Sequence, residues 1–408
     1  MTKKVELLAP AGDLEKLKIA IEYGADAVYF GGESFGLRAA AKNFSIEEIE
    51  EGVAFAHERG KKAYLTLNIF AHNEDINELP QYLDKVKNIP LDAIIASDPG
   101  VVSLVKEYMP NIDIHLSTQA NTTNYMSAEF WHKQGIKRIV LARELSLAEI
   151  KEIRNKVSPD LDLEAFVHGA MCISYSGRCL LSNYMAGRDA NRGACAHPCR
   201  WNYYLVEEQR PGEYIPVNED ERGTYFFNSK DLCMIDHIPE LVDAGIISLK
   251  IEGRMKSIFY VAVIVGAYRK AIDTYYQNPE RDIQDLKLLE ELKKVSHRNF
   301  TTGFYFDKPN EESQNYDTSS YIREYDFLGL ILSYDEQTGM ATVEQRNKIN
   351  IGDTVEIFGP YTDHFTQTIE CMLDDNEEPI ESAPHAQQII KIKTINPVSR
   401  NFMLRRKA

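Results

Sequence analysis

Asp162-Leu-Glu-Ala-Phe-Val-His-Gly169 runs, through Ala170 and Met171, into Cys172-Ile-Ser-Tyr-Ser-Gly-Arg-Cys179. In the first half Leu163, Ala165 and Val167 alternate with Glu164, Phe166 and His168, the pattern of a strand whose neighbours face opposite ways. From Cys172 to Cys199 the chain is rich in Gly, Ser, Asn and Arg and reads as an irregular loop. Six such strands are expected upstream, at Val5–Gly12, Ala27–Gly32, Lys62–Ile69, Asp92–Gly100, Asp113–Asn121 and Lys137–Arg143. An eighth is expected at Ile246–Glu252.

Helical stretches separate most of these strands. One opens at Asp13 as N-cap and ends before Gly24. Another opens on the capping-box pattern Ser45-Ile-Glu-Glu. Eight strands, most followed by a helix, predict a (β/α)8 TIM-like barrel over residues 1–310. The seventh connection is expanded into an insertion, 170–228, on the C-terminal face where barrel chemistry sits. It holds the cysteine loop and an apparent hairpin with arms Trp201–Glu208 and Tyr214–Asn228. A helix is expected over Ser257–Tyr276, an acidic one over Asp282–Val295, and a linker over 311–324. From Tyr325 to Ala408, short strands punctuated by Gly329, Gly339 and Gly352 predict a small all-β barrel domain.

If the apolar strand faces pack under the helices, the lumen holds Glu6, Asn68, His115, Gln119, Glu164, His168, Lys250 and Glu252. Buried charges are costly unless paired. Such a lumen is either a self-satisfied network, for instance Lys250 with Glu164, or a pocket for a small polar, anionic ligand. Nearness to the cysteine loop favours the pocket. Arg254 and Lys256 would add to its basic rim.

The 408 residues are 44% hydrophobic and 26% charged, an ordinary globular composition. No apolar run approaches the ~20 residues of a spanning helix, and no signal peptide is recognised, so a cytoplasmic protein is expected. A net charge of −16 argues against a protein coated in basic surface. Yet Arg178, Arg188, Arg192 and Arg200 face one acid, Asp189, between Met171 and Trp201. These arginines either cap loop carbonyls or form a phosphate-binding island. The signatures His-Glu-x-x-His, Gly-x-Ser-x-Gly, P-loop and Gly-x-Gly-x-x-Gly are missing.

Cys172, Cys179, Cys195 and Cys199 fall within 28 residues, with gaps of six, fifteen and three. Three readings compete. Disulfides suit neither the size of the chain nor a reducing compartment. Structural zinc prefers paired short knuckles, and only Cys195-Ala-His-Pro-Cys199 resembles one. An iron–sulfur cluster takes four thiolates at looser spacing, and Pro198 beside a ligand suits it. Cys233 and Cys371 read as ordinary buried thiols.

Glu164-Ala-Phe-Val-His-Gly-Ala-Met-Cys172 and Ser176-Gly-Arg-Cys179-Leu-Leu-Ser182 resemble the signature of the U32 peptidase family. So do Gly36-Leu-Arg-Ala39, Leu116-Ser-Thr-Gln-Ala-Asn121, Arg192-Gly-Ala-Cys195-Ala-His-Pro-Cys-Arg-Trp201, Ser229-Lys-Asp-Leu-Cys233 and Ser248-Leu-Lys-Ile-Glu-Gly-Arg-Met-Lys256. The resemblance spans nearly the whole chain. It implies either a collagenase-like, metal-dependent peptidase or, in the branch most similar here, hydroxylation of a tRNA wobble uridine to 5-hydroxyuridine with prephenate required by the pathway. A sister branch hydroxylates a ribosomal RNA cytidine. The resemblance further implies a 4Fe-4S cluster on Cys172, Cys179, Cys195 and Cys199. The family pattern has Gln where His197 stands, which leaves a mixed ligand set or zinc open.

Under the RNA reading, the arginine island would grip anticodon-loop phosphates while Trp201, Tyr203 or Tyr175 stacks a splayed base. Lys250, Arg254 and Arg38 would hold prephenate carboxylates, with Asn68, His115, Gln119 and Lys256 around the substrate. Glu164, His168, Lys250 and Glu252 are the candidate catalytic groups, and under the peptidase reading Glu164 and His168 would work beside the thiols. A third possibility is a scaffold in which metal only pins the insertion.

Overall fold

The computed structural model describes residues 4–33, 35, 43–171, 174, 179–188, 195–200, 204–205, 215–216, 230–279, 283–307 and 321–408. Seven parallel strands follow one another around a ring: β1 (Glu6–Pro10), β2 (Ala27–Phe30), β3 (Lys62–Leu67), β4 (Ala93–Ala96), β5 (Asp113–Leu116), β6 (Arg138–Val140) and β7 (Asp162–Ala170). An eighth strand, Ser248–Ile251, pairs in parallel with both β7 and β1 and closes the barrel. The expected architecture is therefore present, with most strands shorter than their apolar runs. The residues after β5, for instance, turn at once into a 3-10 helix, Thr118–Ala120.

Local chemistry sets the helix starts. Asp13 accepts from the Lys16 amide at the head of α1 (Leu14–Glu22), and Gly24 follows its end at φ 108°. Ser45 and Glu48 form a reciprocal capping box on α2 (Ile46–Glu58), as expected. Asp98 caps α4 (Pro99–Tyr108) with Pro99 in its first turn. The longest helix, Ile258–Gln277, opens on Ser257 and packs on α1 and β1. The acidic helix is much shorter than expected. Only Leu288–Leu292 is helical, set off from a 3-10 turn at Ile283–Leu286 by Lys287 at φ 50°.

Outward-facing Leu7, Leu65, Ile94, Ile114 and Ile139 pack beneath the helices in one continuous core. Inside the ring a separate apolar plug forms from Leu8, Ala27, Tyr29, Tyr64, Ala93 and Ile95. Below that plug sits a charged floor. Glu6, Ser248 and Glu164 share one register layer. Arg138 donates to Glu6 and, at 3.1 Å, to Glu164; Lys250 donates to Glu164 at 2.9 Å. The Ser248 hydroxyl bonds both carboxylates at 3.0 Å, and the Tyr64 hydroxyl adds a bond to Glu6 at 2.8 Å. Glu164 is fully buried, which by itself would raise its pKa. Lys250 and Arg138 outweigh burial and hold the carboxyl down at about 2.

β7 is longer than the barrel needs. Its end pairs antiparallel with a short strand, Asp231–Cys233, which in turn pairs with Phe300–Thr301. Neither short strand was expected. Of the predicted hairpin, the pairing of Tyr204 and Leu205 with Pro216 and Ile215 lies within the described residues.

The C-terminal region forms a seven-stranded antiparallel sheet over its own core of Leu328, Ile331, Val343, Val355, Ile390 and Leu404. Leu330, Phe358 and Met403 join the barrel's core instead, and Phe327 stacks on Phe259 at 5.3 Å. Arg405, wholly buried, ties the two together: it donates to Glu356 on the sheet at 2.8 Å and takes Glu291, beside the barrel, in a two-pronged pair.

Two outcomes follow. Glu164→Gln leaves Lys250 without its carboxylate and Arg138 with Glu6 but not Glu164, and is expected to cost about 3–5 kcal/mol at pH 7 in urea unfolding. The native pKa lies below the ordinary one, so the carboxylate's contribution is complete above about pH 4.5 and fades as pH falls toward about 2. The deficit of the variant should shrink across that window; a pH-independent deficit would contradict the network. Arg405→Met is expected to cost a similar amount and to split the calorimetric unfolding transition, as the sheet loses its hold on the barrel.

Candidate functional site

The upper half of the lumen is built from strand ends. On β5, His115 faces inward with Tyr64 edge-on at 4.8 Å, and Ser117 follows on the same face. His115 is buried, and burial together with Arg138 pushes its imidazole well below the usual range, so it is neutral. Asn68, one residue past β3, donates to the Ser117 hydroxyl at 3.2 Å, which donates to Gln119 at 3.3 Å. Lys250 rises from the charged floor with its ammonium 4.4 Å from the Tyr29 ring centre and 5.5 Å from that of Phe166. Arg143, past β6, lies over the other reach of the Phe166 ring at 5.1 Å and donates to the Ala170 carbonyl at 2.8 Å.

Arg254 comes from the loop after the closing strand. Its backbone carbonyl presses on Gly12, where an added Cβ would sit 2.0 Å from it. Its guanidinium crosses Gly31, where a Cβ would meet Nη2 at 2.4 Å, to reach Asn43 at 3.3 Å and the Thr66 hydroxyl of β3 at 3.5 Å. Two glycines thus make room for one buried arginine at the barrel mouth. The mouth therefore holds Arg143 and Arg254 among amide and hydroxyl groups, an arrangement that can hold a small anion, while the Lys250 ammonium lies lower, against Glu164 and the Tyr29 ring.

His168 is the expectation that the structure overturns. Pairing between β7 and the closing strand shifts after Lys250–Phe166, so that Ile251 pairs with His168 and Val167 is left over. This bulge turns two successive side chains to the same side. His168 leaves the lumen and packs among Tyr260, Tyr268 and Phe300 at 5.6–6.0 Å. Burial, aided by Lys256, pushes it down to about 3, so it is neutral. Lys256 stands with it on the outer side, donating to the Ser296 carbonyl at 3.3 Å with its ammonium 4.1 Å from the Tyr321 ring centre. Glu252 lies half-buried above Gly169, its amide bonded to the His168 carbonyl. Glu164 is in the floor rather than the mouth. The residues missed by sequence reasoning are Arg138, Ser117, Thr122 and Arg143. Ser117 and Arg138 were signalled by sharing a strand face with His115 or flanking an apolar run.

Of the cysteine loop, Cys179 and Cys195 are half-buried and Cys199 is buried. Cys195-Ala-His-Pro-Cys199 makes a tight knuckle. His197 adopts a left-handed φ of 56°, its amide donates to the Cys195 sulfur at 3.4 Å, and its Nδ1 lies 3.8 Å from the same sulfur. The Ala196 amide is tied to the Ser182 hydroxyl at 2.8 Å. Amide donors aimed at sulfur tune sulfur-bound metal, and sulfur is a soft ligand, so the donor chemistry fits a soft metal or cluster. Among the described residues no three cysteine, histidine or acidic side chains converge on one point. Cys172 lies outside the described residues, as do Arg38, Tyr175, Arg178, Arg192, Trp201 and Tyr203. Arg200 closes the 3-10 turn Pro198–Arg200, and Arg188 is exposed. Cys233 is buried, with its thiol pushed up to about 12, whereas Cys371 is exposed, against expectation. No helix among the described residues is long and apolar enough to cross a membrane.

Comparisons with known proteins add relatives. The chain is 47% identical over 406 residues to "tRNA hydroxylation protein P1" of Bacillus subtilis, covering 100% of this chain and 96% of the relative. It is 39% identical over 421 residues to "tRNA hydroxylation protein P" of Escherichia coli, covering 93% and 92%. A "Collagenase" of Porphyromonas gingivalis is 32% identical over 395 residues, covering 94% and 93%. The family model "Peptidase family U32" matches residues 12–315, and "Peptidase family U32 C-terminal domain" matches residues 323–405. The chain belongs to peptidase family U32.

Proposed function

We propose that this chain is an RNA-modifying enzyme that hydroxylates a tRNA wobble uridine to 5-hydroxyuridine, using a 4Fe-4S cluster and prephenate. The observation that carries the reading is the barrel mouth, where buried and half-buried cations surround neutral polar groups at the top of β7, the strand that leads into the four-cysteine loop. Support for tRNA as substrate comes from relatives of that name matched across nearly their whole length.

In this reading Lys250, Arg254 and Arg38 hold the carboxylates of prephenate. Glu164 fixes Lys250 in place from below, at 2.9 Å. Asn68, His115 and Gln119 face the ligand's uncharged part. Arg178, Arg188, Arg192 and Arg200 meet phosphates of the anticodon loop, and Trp201 or Tyr175 stacks the extruded base. Cys172, Cys179, Cys195 and Cys199 hold the cluster, with zinc as the alternative occupant; when bound, the cluster supplies electron transfer beside the mouth.

The peptidase reading keeps one supporting observation, the collagenase relative. Its proposed acid–base pair is not assembled: His168 points away from the lumen and Glu164 is spent in ion pairs.

The test is nucleoside mass spectrometry of tRNA from a strain lacking this gene, complemented by wild type or by Cys172→Ala. The hydroxylated uridine should vanish on deletion and return only with the wild type. Anaerobically purified wild type should carry iron and acid-labile sulfide that the variant lacks. Unchanged nucleosides after deletion, or full modification by Cys172→Ala, would overturn the reading.

A further inference from the structure

A short helix, Leu181–Ala186, lies inside the cysteine loop, between Cys179 and Cys195. Its one buried side chain is Ser182, whose hydroxyl accepts from the Ala196 amide at 2.8 Å and ties the helix to the Cys195–Cys199 knuckle. The helix also packs on the 3-10 turn Pro198–Arg200. Gly187, at a left-handed φ of 61°, ends it, and the Arg188 amide closes back on the Ser182 carbonyl at 3.3 Å. A polar edge thus holds the helix in place.

The rest of its surface is largely apolar and open to water. Leu180, Tyr184 and Met185 are 70%, 86% and 41% exposed, and Tyr184 is the most exposed large apolar side chain among the described residues. Leu180 and Tyr184 stand four residues apart, on one side of the helix. A helix that served only to fasten the loop would turn polar residues to water. Grouped apolar side chains on a surface mark a place where something binds.

Charge identifies the partner. Between Met171 and Trp201 four arginines stand against one acid, in a chain of net charge −16. Arg188, exposed, follows the helix directly. An aromatic face beside an excess of guanidinium groups matches a strand with an anionic backbone and open base faces, which is single-stranded nucleic acid. A duplex offers the same phosphates but keeps its bases stacked on one another.

We infer that Tyr184, backed by Leu180 and Met185, is a stacking platform for a second unpaired base, distinct from the base that is modified. The site then takes a stretch of single strand rather than one nucleotide flipped from a duplex. The choice of RNA as partner rests on the proposed tRNA reading as well as on the arginine excess; the open face of the helix does not.

Fluorescence anisotropy with anaerobically purified full-length protein tests this on two labelled RNAs with equal numbers of phosphates, an anticodon stem–loop and a fully paired duplex. Tyr184→Ala should weaken stem–loop binding at least about fivefold, the loss of one base stack, and change duplex binding less than about twofold. Tyr184→Phe keeps the ring and should stay within about twofold of the wild type. The slope of log affinity against log salt should be the same for wild type and Tyr184→Ala, because no phosphate contact is removed. Unchanged stem–loop affinity in Tyr184→Ala, an equal loss on both RNAs, a shallower salt slope, or no binding of the stem–loop by the wild type would overturn the inference. So would light scattering that shows a wild-type dimer dissolved by Tyr184→Ala, which would give this face to a second copy of the chain. The two readings fail separately. Loss of the nucleoside on gene deletion with a silent Tyr184→Ala discards the platform and keeps the tRNA reading. Unchanged nucleosides on deletion with a stem–loop-specific loss in Tyr184→Ala discards the reaction and keeps the platform.

Discussion

A fully buried carboxylate, Glu164, lies between two buried cations, and much of the barrel is arranged to keep it there. Taking three charges out of water is expensive, and attraction repays the cost only when each remaining hydrogen-bonding site is met. The floor meets most of that demand with four strands: Glu6 from β1, Arg138 from β6, Glu164 from β7, and Ser248 with Lys250 from the closing strand. A network drawn from β1, the closing strand and β7 also spans the seam at which the ring closes. The ion cluster therefore specifies closure and register as well as filling space: a shift of one residue in any of these strands would turn its charge out into the helix layer.

This division of the lumen explains why its upper half can be incomplete. The floor's charges are paired, with only Arg138 Nε unmet, and the middle is plugged by Leu8, Tyr29, Tyr64 and Ile95, so closure of the ring rests on these layers rather than on the mouth. Polar atoms there can stay unmet at a tolerable cost and be repaid by a ligand. β7 links the halves. Its lower residues carry Glu164 and Phe166 into the lumen, and its upper residues leave the ring through the bulge and pair with Asp231–Cys233. The cysteine loop thus hangs from a strand anchored at its base by ion pairs and along its upper part by a second sheet.

Much of this was legible in the sequence because alternation is a physical consequence of strand geometry. Glu6, His115, Glu164 and Lys250 were assigned to the lumen from phase alone and are found there. His168 failed for a definite reason: phase propagates only while pairing is regular, and a bulge resets it without leaving a compositional mark. Arg138 was missed because the expected strand Lys137–Arg143 shows no alternation: an unbroken apolar run, Ile139–Ala142, is flanked by basic residues that read as solvated strand ends. Ser117 shared the polar strand face of His115 and Gln119, whereas Thr122 looks like an ordinary turn residue and only burial shows that its hydroxyl is enclosed. The sequence favoured a pocket over a self-satisfied network, yet the floor is such a network, with Lys250 on Glu164 as the expected pair, and only the residues above it can form a pocket.

The cysteine loop carries a further constraint that follows from counting charge. Four thiolates and Asp189 make five acidic groups against Arg178, Arg188, Arg192 and Arg200. Without a metal the loop would be no basic island at all once its thiols ionised, because the arginines would be drawn to sulfur. A bound 2+ metal or cluster core offsets about half of that thiolate charge, which leaves the arginines in excess and able to meet phosphate. In the proposed RNA enzyme, metal occupancy and grip on phosphate are therefore one property seen from two sides. A chain of net charge −16 gains no general attraction to a polyanion, so binding must rest on a local balance of this kind. Losing a single thiol would then weaken RNA binding as well as the metal site, even though no cysteine need touch the nucleic acid.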